Sequence, residues 1–212
     1  MAKCAVGLMA KYPQRGQVKT RLAADIGADE ALRVYNDLLS RAIAVVSDLK
    51  EAHFGRAVFV TPSNLRDQFK NDHPELDAYW SQSEGDLGVR MNQALALLLS
   101  LPNINKAILI GTDIPEIDGD IIQQASDALD DHDCVIGPTV DGGYYLIGMR
   151  EVKAGLFQAV AWGTPSVLSE TLTICGQLGL AVRLLPELRD LDDLDDLKQF
   201  AATGVISVNR MP

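Results

Sequence analysis

The chain has 212 residues, 47% of them hydrophobic, and a formal net charge of −10. That length suits a single domain over residues 1–212, and the apolar fraction excludes a disordered chain. The acidic balance argues against nucleic acid as partner, because a phosphate backbone needs a basic face.

Strand and helix signals alternate along the chain. Cys4–Met9 is an unbroken apolar run, as expected for a strand buried on both faces. After Ala28, the residues Leu32, Tyr35, Leu38, Leu39, Ala42, Ile43, Val46 and Leu49 recur at helical spacing. Ala57–Val60 reads as a strand closed by Thr61-Pro62, followed by a short helix near 64–70 and a strand over Ala78–Gln82. Gly88–Leu101 reads as a helix, and Ala107–Ile110 as a strand ending in Gly111-Thr112-Asp113. Asp118 is expected to cap the next helix. Cys134–Ile136 and Tyr144–Met149 read as strands around Asp141-Gly142-Gly143. Thr164-Pro165 marks a helix start, with threonine as cap and proline at the first helical position. Ala181–Leu185 reads as a last strand, and an acidic helix is expected to begin near Leu191–Asp195.

This alternation predicts an α/β fold, with a mainly parallel central sheet and helices on both faces. In such sheets ligands bind at the carboxyl ends of the strands, near a change in strand order. The polar segments Lys11–Arg21, Gly111–Asp113 and Pro138–Gly143 fall at those ends.

The densest positive charge lies directly after the first strand, where Lys11, Arg15, Lys19 and Arg21 surround Gly16. Cations there can neutralise phosphate oxygens, with Gly16 letting backbone amides approach. The competing reading is a solvated loop, since the segment matches neither a Walker A loop nor G-x-G-x-x-G. Salt screens charges beyond roughly 8 Å, so a distant acidic surface need not repel a bound diphosphate.

Asp113, just past a buried strand, suits Mg2+, which takes one or two protein carboxylates plus phosphates and water. Its bland alternative is a turn leading to the helix capped by Asp118. Asp141-Gly142-Gly143 is a hairpin signal by spacing. A functional reading puts Asp141 in the site, with Gly142 and Gly143 bringing backbone close to a ligand. Asp86 and Arg90, in a glycine-flanked turn before a helix, could face a nucleotide's base or ribose, and Asp86 could equally be a helix cap. The aspartates of 190–196 favour a helix N-terminus, while Asp190 or Asp192 could supply a second metal ligand.

Three cysteines, Cys4, Cys134 and Cys175, lack any C-x-x-C or metal-ligand spacing. Cys4 and Cys134 sit in strand-like runs and read as buried thiols in a reducing cytoplasm. The first apolar run is too short for a signal peptide, and Leu95–Leu101 is too short to span a bilayer. The scattered histidines form no Ser-His-Asp or Cys-His arrangement.

Four segments in order, K-x-P-x-x-G-x-V-K-T-R-L from Lys11, G-D-L-G-x-R-M from Gly85, G-T-D-x-P from Gly111 and D-G-G-Y-Y-L-I-G from Asp141, resemble the bacterial nucleotide-diphospho-sugar transferase-like family. That family has the A-type glycosyltransferase fold. Asp190-Leu191-Asp192-Asp193 is also similar to an acidic motif of related guanylyltransferases of cofactor biosynthesis. Their N-terminal loop is richer in glycine, which favours sugar transfer for this chain.

The resemblance implies a divalent ion, Mg2+ or Mn2+, bound through aspartate, often as D-x-D. Here only Asp113 stands in that motif, so further ligands are expected from Asp190 and Asp192. It also implies a nucleotide sugar as donor and a small-molecule acceptor near Asp141, Gly142, Gly143 and Trp162, with Asp141 as base. The alternatives are a nucleotidyltransferase acting on a phosphorylated small molecule and a non-catalytic nucleotide-binding module.

Overall fold

A computed structural model describes residues 3–206. Strands β1 (Lys3–Lys11), β2 (Phe54–Thr61), β3 (Ala78–Ser81), β4 (Ile104–Ile110), β5 (Cys134–Pro138), β6 (Tyr144–Met149) and β7 (Val182–Leu184) form one seven-stranded sheet. Its order is β3-β2-β1-β4-β6-β5-β7, and only β6 runs against the others. The helices are α1 (Thr20–Ile26), α2 (Ala28–Ser47), α3 (Arg66–Asp72), α4 (Leu87–Leu99), α5 (Gly119–Ala128), α6 (Val167–Gln177) and α7 (Leu194–Ala202).

The sequence of β1 explains its central place. Side chains alternate across a pleated strand. Cys4, Val6, Leu8 and Ala10 enter one apolar layer with Tyr35, Leu39 and Ile43 of α2 and Ile121, Ile122 and Ala125 of α5. Ala5 and Met9 enter the opposite layer with Met91, Leu95 and Leu98 of α4 and Cys175 of α6. Both faces are therefore covered, which an alternating polar strand could not tolerate. A third cluster joins Leu22 of α1 and Leu38 of α2 to Leu197 and Phe200 of α7. It draws the chain's late acidic segment over to the first loop. Burying a leucine contributes about 1.5–3 kcal/mol, so this outer cluster has real weight in fixing that approach.

Strand order changes direction between β1 and β4. From β1 the chain steps outward to β2 and β3, then crosses back to β4 and proceeds to the other edge. The carboxyl ends of β1 and β4 flank that crevice, as the expected placement requires. Because β6 is antiparallel, the β5–β6 turn with Asp141 opens on the same rim.

Two helix assignments differ from expectation. The short helix α1 was not expected, and only Leu22 of it is buried. Helix α6 begins after Ser166, two residues past Thr164-Pro165. The Thr164 hydroxyl instead donates to the carbonyl of Ala161 at 2.7 Å, closing the turn before the helix. Helix α7 starts at Leu194, within the expected range, because Asp193 and Asp196 form a reciprocal capping box there. No helix among the described residues is long and apolar enough to cross a membrane.

Candidate functional site

The end of β1 is clamped from below by α2. The Tyr35 hydroxyl donates to the Lys11 carbonyl at 2.7 Å and accepts from the Lys11 amide at 3.0 Å. Burial, the larger influence, and the nearby Asp113 push this phenol up to about 12, so it stays neutral. The Lys11 ammonium then reaches across the loop to the Gln17 carbonyl at 2.6 Å.

Lys19 closes the loop in a left-handed backbone conformation, φ 45° and ψ 49°. Such a conformation costs a non-glycine residue about 1–3 kcal/mol and persists where surroundings over-determine it. Here the surroundings are two carboxylates. The Lys19 ammonium lies 2.7 Å from Asp113 Oδ1 and 2.9 Å from Asp192 Oδ1, with its side chain 4% exposed. Burial opposes that charge, but Asp113 and Asp192 outweigh it and the ammonium's pKa is raised. The late segment is tied to β4 through backbone as well, since Leu191 N–H donates to the Asp113 carbonyl at 2.9 Å. Arg21 is the freer cation, 77% exposed and 3.8 Å from Asp192.

Two cavities adjoin along this rim. The first, about 350 Å³, lies against Lys11, Lys19, Arg21, Tyr35 and Gln82. The second, about 530 Å³, lies under the β5–β6 turn against Met91, Leu109, Tyr144, Ile147 and Trp162, with Asp141 and Gly143 at its edge. Met9, Arg21, Leu87, Thr112, Asp113 and Asp192 line both and form the boundary.

Some expected residues stand outside both linings. Arg15 pairs with Asp29 at 2.6 Å on the surface. Asp86 caps α4 by accepting from Val89 N–H at 2.8 Å. Arg90 turns back to the Gly85 carbonyl at 2.9 Å. Gly142 has φ 88°, and a Cβ there would sit 2.1 Å from the Pro165 carbonyl oxygen. Its glycine is thus explained by packing of the turn onto the segment before α6. Asp141 is also part of that turn, its Oδ1 accepting from the Thr139 hydroxyl at 2.5 Å and from Gly143 N–H at 3.0 Å.

Residues that sequence reasoning missed are mostly apolar or neutral. Gln82 donates to the carbonyls of Ala10 and Phe59 at 3.1 and 3.0 Å, tying together the ends of β1 and β2. Gly88 makes room for Trp162, because a Cβ at that position would lie 2.8 Å from the indole. The second glycine of G-D-L-G therefore serves the cavity wall, a signal the sequence carried without its partner.

A divalent ion is implied by the fold resemblance, and the donor set fits it only in part. Asp113 and Asp192 present two carboxylates at one point, enough for Mg2+ when phosphates complete the shell. That point is held by the Lys19 ammonium. Asp190 lines neither cavity; burial and then the charges of Asp141 and Asp192 push its carboxyl up to about 6. Among the described residues no group of three or more acidic, histidine or cysteine side chains is assembled to hold an ion. The fit is thus to an ion arriving with phosphate ligands rather than to a preformed cage.

This is an α/β protein of the nucleotide-diphospho-sugar transferase fold, with a charged crevice at its strand-order switch. The chain belongs to the family described as "Uncharacterized protein conserved in bacteria (DUF2064)", whose profile matches residues 44–164. It is 30% identical to a Desulfovibrio desulfuricans G20 protein described as a "putative nucleotide-diphospho-sugar transferase". That crystal structure superposes with a TM-score of 0.88, over 96% of this chain and 88% of the other.

More distant likenesses include a 4-diphosphocytidyl-2C-methyl-D-erythritol synthase from Anaerococcus prevotii DSM 20548, 9% identical with a TM-score of 0.60, over 95% and 98% of the two chains. Another is the glucosyl-3-phosphoglycerate synthase of Mycobacterium tuberculosis, solved with Mn2+, uridine diphosphate and glucosyl-3-phosphoglycerate. It is 12% identical with a TM-score of 0.56, over 96% of this chain and 77% of the other. At such identity these two speak for the fold alone. No curated protein sequence matches the chain.

Proposed function

We propose that this protein transfers a sugar from a nucleotide-diphospho-sugar to a small acceptor, and that residues 1–212 act as one domain. The observation that carries the reading is the meeting of Lys11, Lys19 and Arg21 with Asp113 at the crevice between β1 and β4. A diphosphate in the first cavity gains charge-assisted hydrogen bonds from those cations. Kinship to the Desulfovibrio protein supports the reading at the level of class.

In the proposed reaction the acceptor oxygen forms a new bond to the anomeric carbon. The bond from that carbon to the diphosphate breaks, and its electron pair leaves on the diphosphate oxygen. The acceptor's proton passes to Asp141, whose Oδ2 has no hydrogen-bond donor among the described residues. Lys19 and Arg21 offset the negative charge that builds on the leaving group, the role for which fixed cations are most effective. Asp113 and Asp192, with Asp190 beside them, would hold Mg2+ or Mn2+, which when bound supplies Lewis-acid stabilisation of the same diphosphate.

The test is a screen of nucleotide sugars for hydrolysis or transfer, with nucleotide diphosphate release as readout. Release of pyrophosphate from a nucleoside triphosphate instead would identify a nucleotidyltransferase. Nucleotide binding without turnover of either kind would identify a non-catalytic binding module.

A further inference from the structure

The two cavities differ in chemistry, and the difference names an acceptor class. The inner wall of the second cavity is apolar: Met91, Leu109, Ile147 and Tyr144, with the Trp162 indole across from them. That indole is a fixed surface. It stands edge-on to Tyr144, ring centres 6.3 Å apart at 83°, and lies 6.5 Å from Phe157. The backbone of Gly88 packs directly beneath it. At the lip, Leu87 is 45% exposed and lines both cavities, so an occupant of the rim would cover it.

Charge narrows the occupant further. Three carboxylates, Asp113, Asp141 and Asp192, line the second cavity against one guanidinium, Arg21, and with the Lys19 ammonium shared by two of them the balance stays negative. Arg21 already lies 3.8 Å from Asp192. A phosphorylated or carboxylate acceptor would enter against like charge. An amine would enter readily, but neighbouring carboxylates favour its protonated form, which has no lone pair for attack. A hydroxyl avoids both penalties and can give its proton to Asp141 in the transition state.

We infer that the second cavity binds an uncharged alcohol with an apolar, ring-sized body, its hydroxyl directed to the carboxylate boundary and its body laid against Trp162. This inference rests on the sugar-transfer reading for the role of acceptor, while the binding itself does not require it.

The experiment is ligand-observed NMR with benzyl alcohol at millimolar concentration, on the full chain, with phosphoglycolate and uridine diphosphate as further probes. Benzyl alcohol is expected to bind, and phosphoglycolate to bind it at this cavity at least about tenfold more weakly. Trp162→Ala and Leu87→Ser are each expected to weaken the alcohol by about fivefold or more, the second at an exposed position that does not threaten folding. Uridine diphosphate is expected to leave the alcohol bound. Equal or tighter binding of phosphoglycolate, or alcohol binding unmoved by both substitutions, overturns the inference, as does displacement of the alcohol by uridine diphosphate. Alcohol binding with no binding of uridine diphosphate would remove the sugar-transfer reading and leave the alcohol site standing.

Discussion

The cavity beside the first loop and the cavity beneath the β5–β6 turn share a wall but are built by opposite means. The first is made of charges held by other charges: Lys19 between two carboxylates, Arg21 over Asp192, Lys11 on a carbonyl. The second is made of core side chains that stop short of filling the space between β4, β6 and the segment before α6. The contrast teaches where each function would reside. On the proposed reading, affinity for a phosphorylated donor would depend on a few cations, any of which can be removed singly. Selection of an acceptor would depend on shape, which many residues share.

The sharpest way to break the comparison is at Lys19. Lys19→Met is expected to weaken nucleotide diphosphate binding by more than tenfold, since charge-assisted hydrogen bonds contribute about 1.5–3 kcal/mol. It should also cost stability, because Asp113 and Asp192 are left facing each other. Breaking a fully buried pair costs about 3–5 kcal/mol, and with carboxylates 44% and 38% exposed the loss should be nearer 1–2. Calorimetry and urea unfolding give the two numbers. Unchanged affinity would return the loop to a solvated surface turn.

Asp113→Asn comes next. Asp192 still pairs with Lys19, so the free protein should keep nearly its full stability. The Mg2+-dependent part of nucleotide stabilisation should vanish; a ligand at 100 times its dissociation constant stabilises by about 2.7 kcal/mol in all. Thermal shifts with and without Mg2+ measure it. Parallel changes at Asp141, Asp190 and Asp192 assign any second ligand, with the late pair expected to respond and Asp141 to matter for the acceptor. A Mg2+ response like that of the unaltered protein would leave Asp113 as a turn residue.

How much of this was legible beforehand divides along the same line. Charge announces itself: Lys11, Lys19, Arg21 and Asp113 stand out against an apolar strand and meet in the structure at one rim. Charge also misleads, because Arg15, Asp86 and Arg90 look equally conspicuous and are engaged by Asp29, a helix end and a carbonyl. The alternation of β1 and the spacing in α2 fixed the layered architecture, since periodicity reports which face is buried. Periodicity cannot report where burial is incomplete. Met91, Leu109 and Ile147 carry the same pattern whether they touch a neighbour or a cavity. Helix α1 was hidden because it has only seven residues, too few for Leu22, Ala23 and Ile26 to stand out as a periodic stripe.

Asp190 offers a smaller effect with a definite sign. Its carboxyl is pushed from 3.8 up to about 6, by burial first and by Asp141 and Asp192 after it. A carboxyl that is harder to ionise when folded favours the folded state while protonated, and that contribution is lost as pH rises from about 4 to about 6. Asp190→Asn should therefore be more stable than the unaltered chain at pH 7.5, by about 1–2 kcal/mol after allowing for solvent around a partly exposed group. The advantage should disappear near pH 4. Urea midpoints across this range test it, and an advantage independent of pH would mean that the substitution acts through packing.

The smallest effects, at Arg21 and Arg15, sharpen the comparison most. Both are exposed arginines, Arg15 in the loop after β1 and Arg21 in the first turn of α1, and both carry an aspartate partner. Arg21 lies on the boundary of both cavities and is held loosely, whereas Arg15 closes onto Asp29 away from either. Its exposure allows Arg21 to turn onto a phosphate, but the same exposure lets salt screen it within roughly 8 Å. Arg21→Ala should accordingly reduce nucleotide diphosphate affinity several-fold at low ionic strength, with the difference shrinking as salt is added. Arg15→Ala should leave affinity unchanged at every salt concentration, since its ion pair with Asp29 is fully exposed to solvent and orders no cavity residue. Titrations at two salt concentrations separate the cases. If Arg15→Ala weakens binding as much as Arg21→Ala does, the loop acts as a diffuse cationic surface, and the first cavity is not what holds the phosphate.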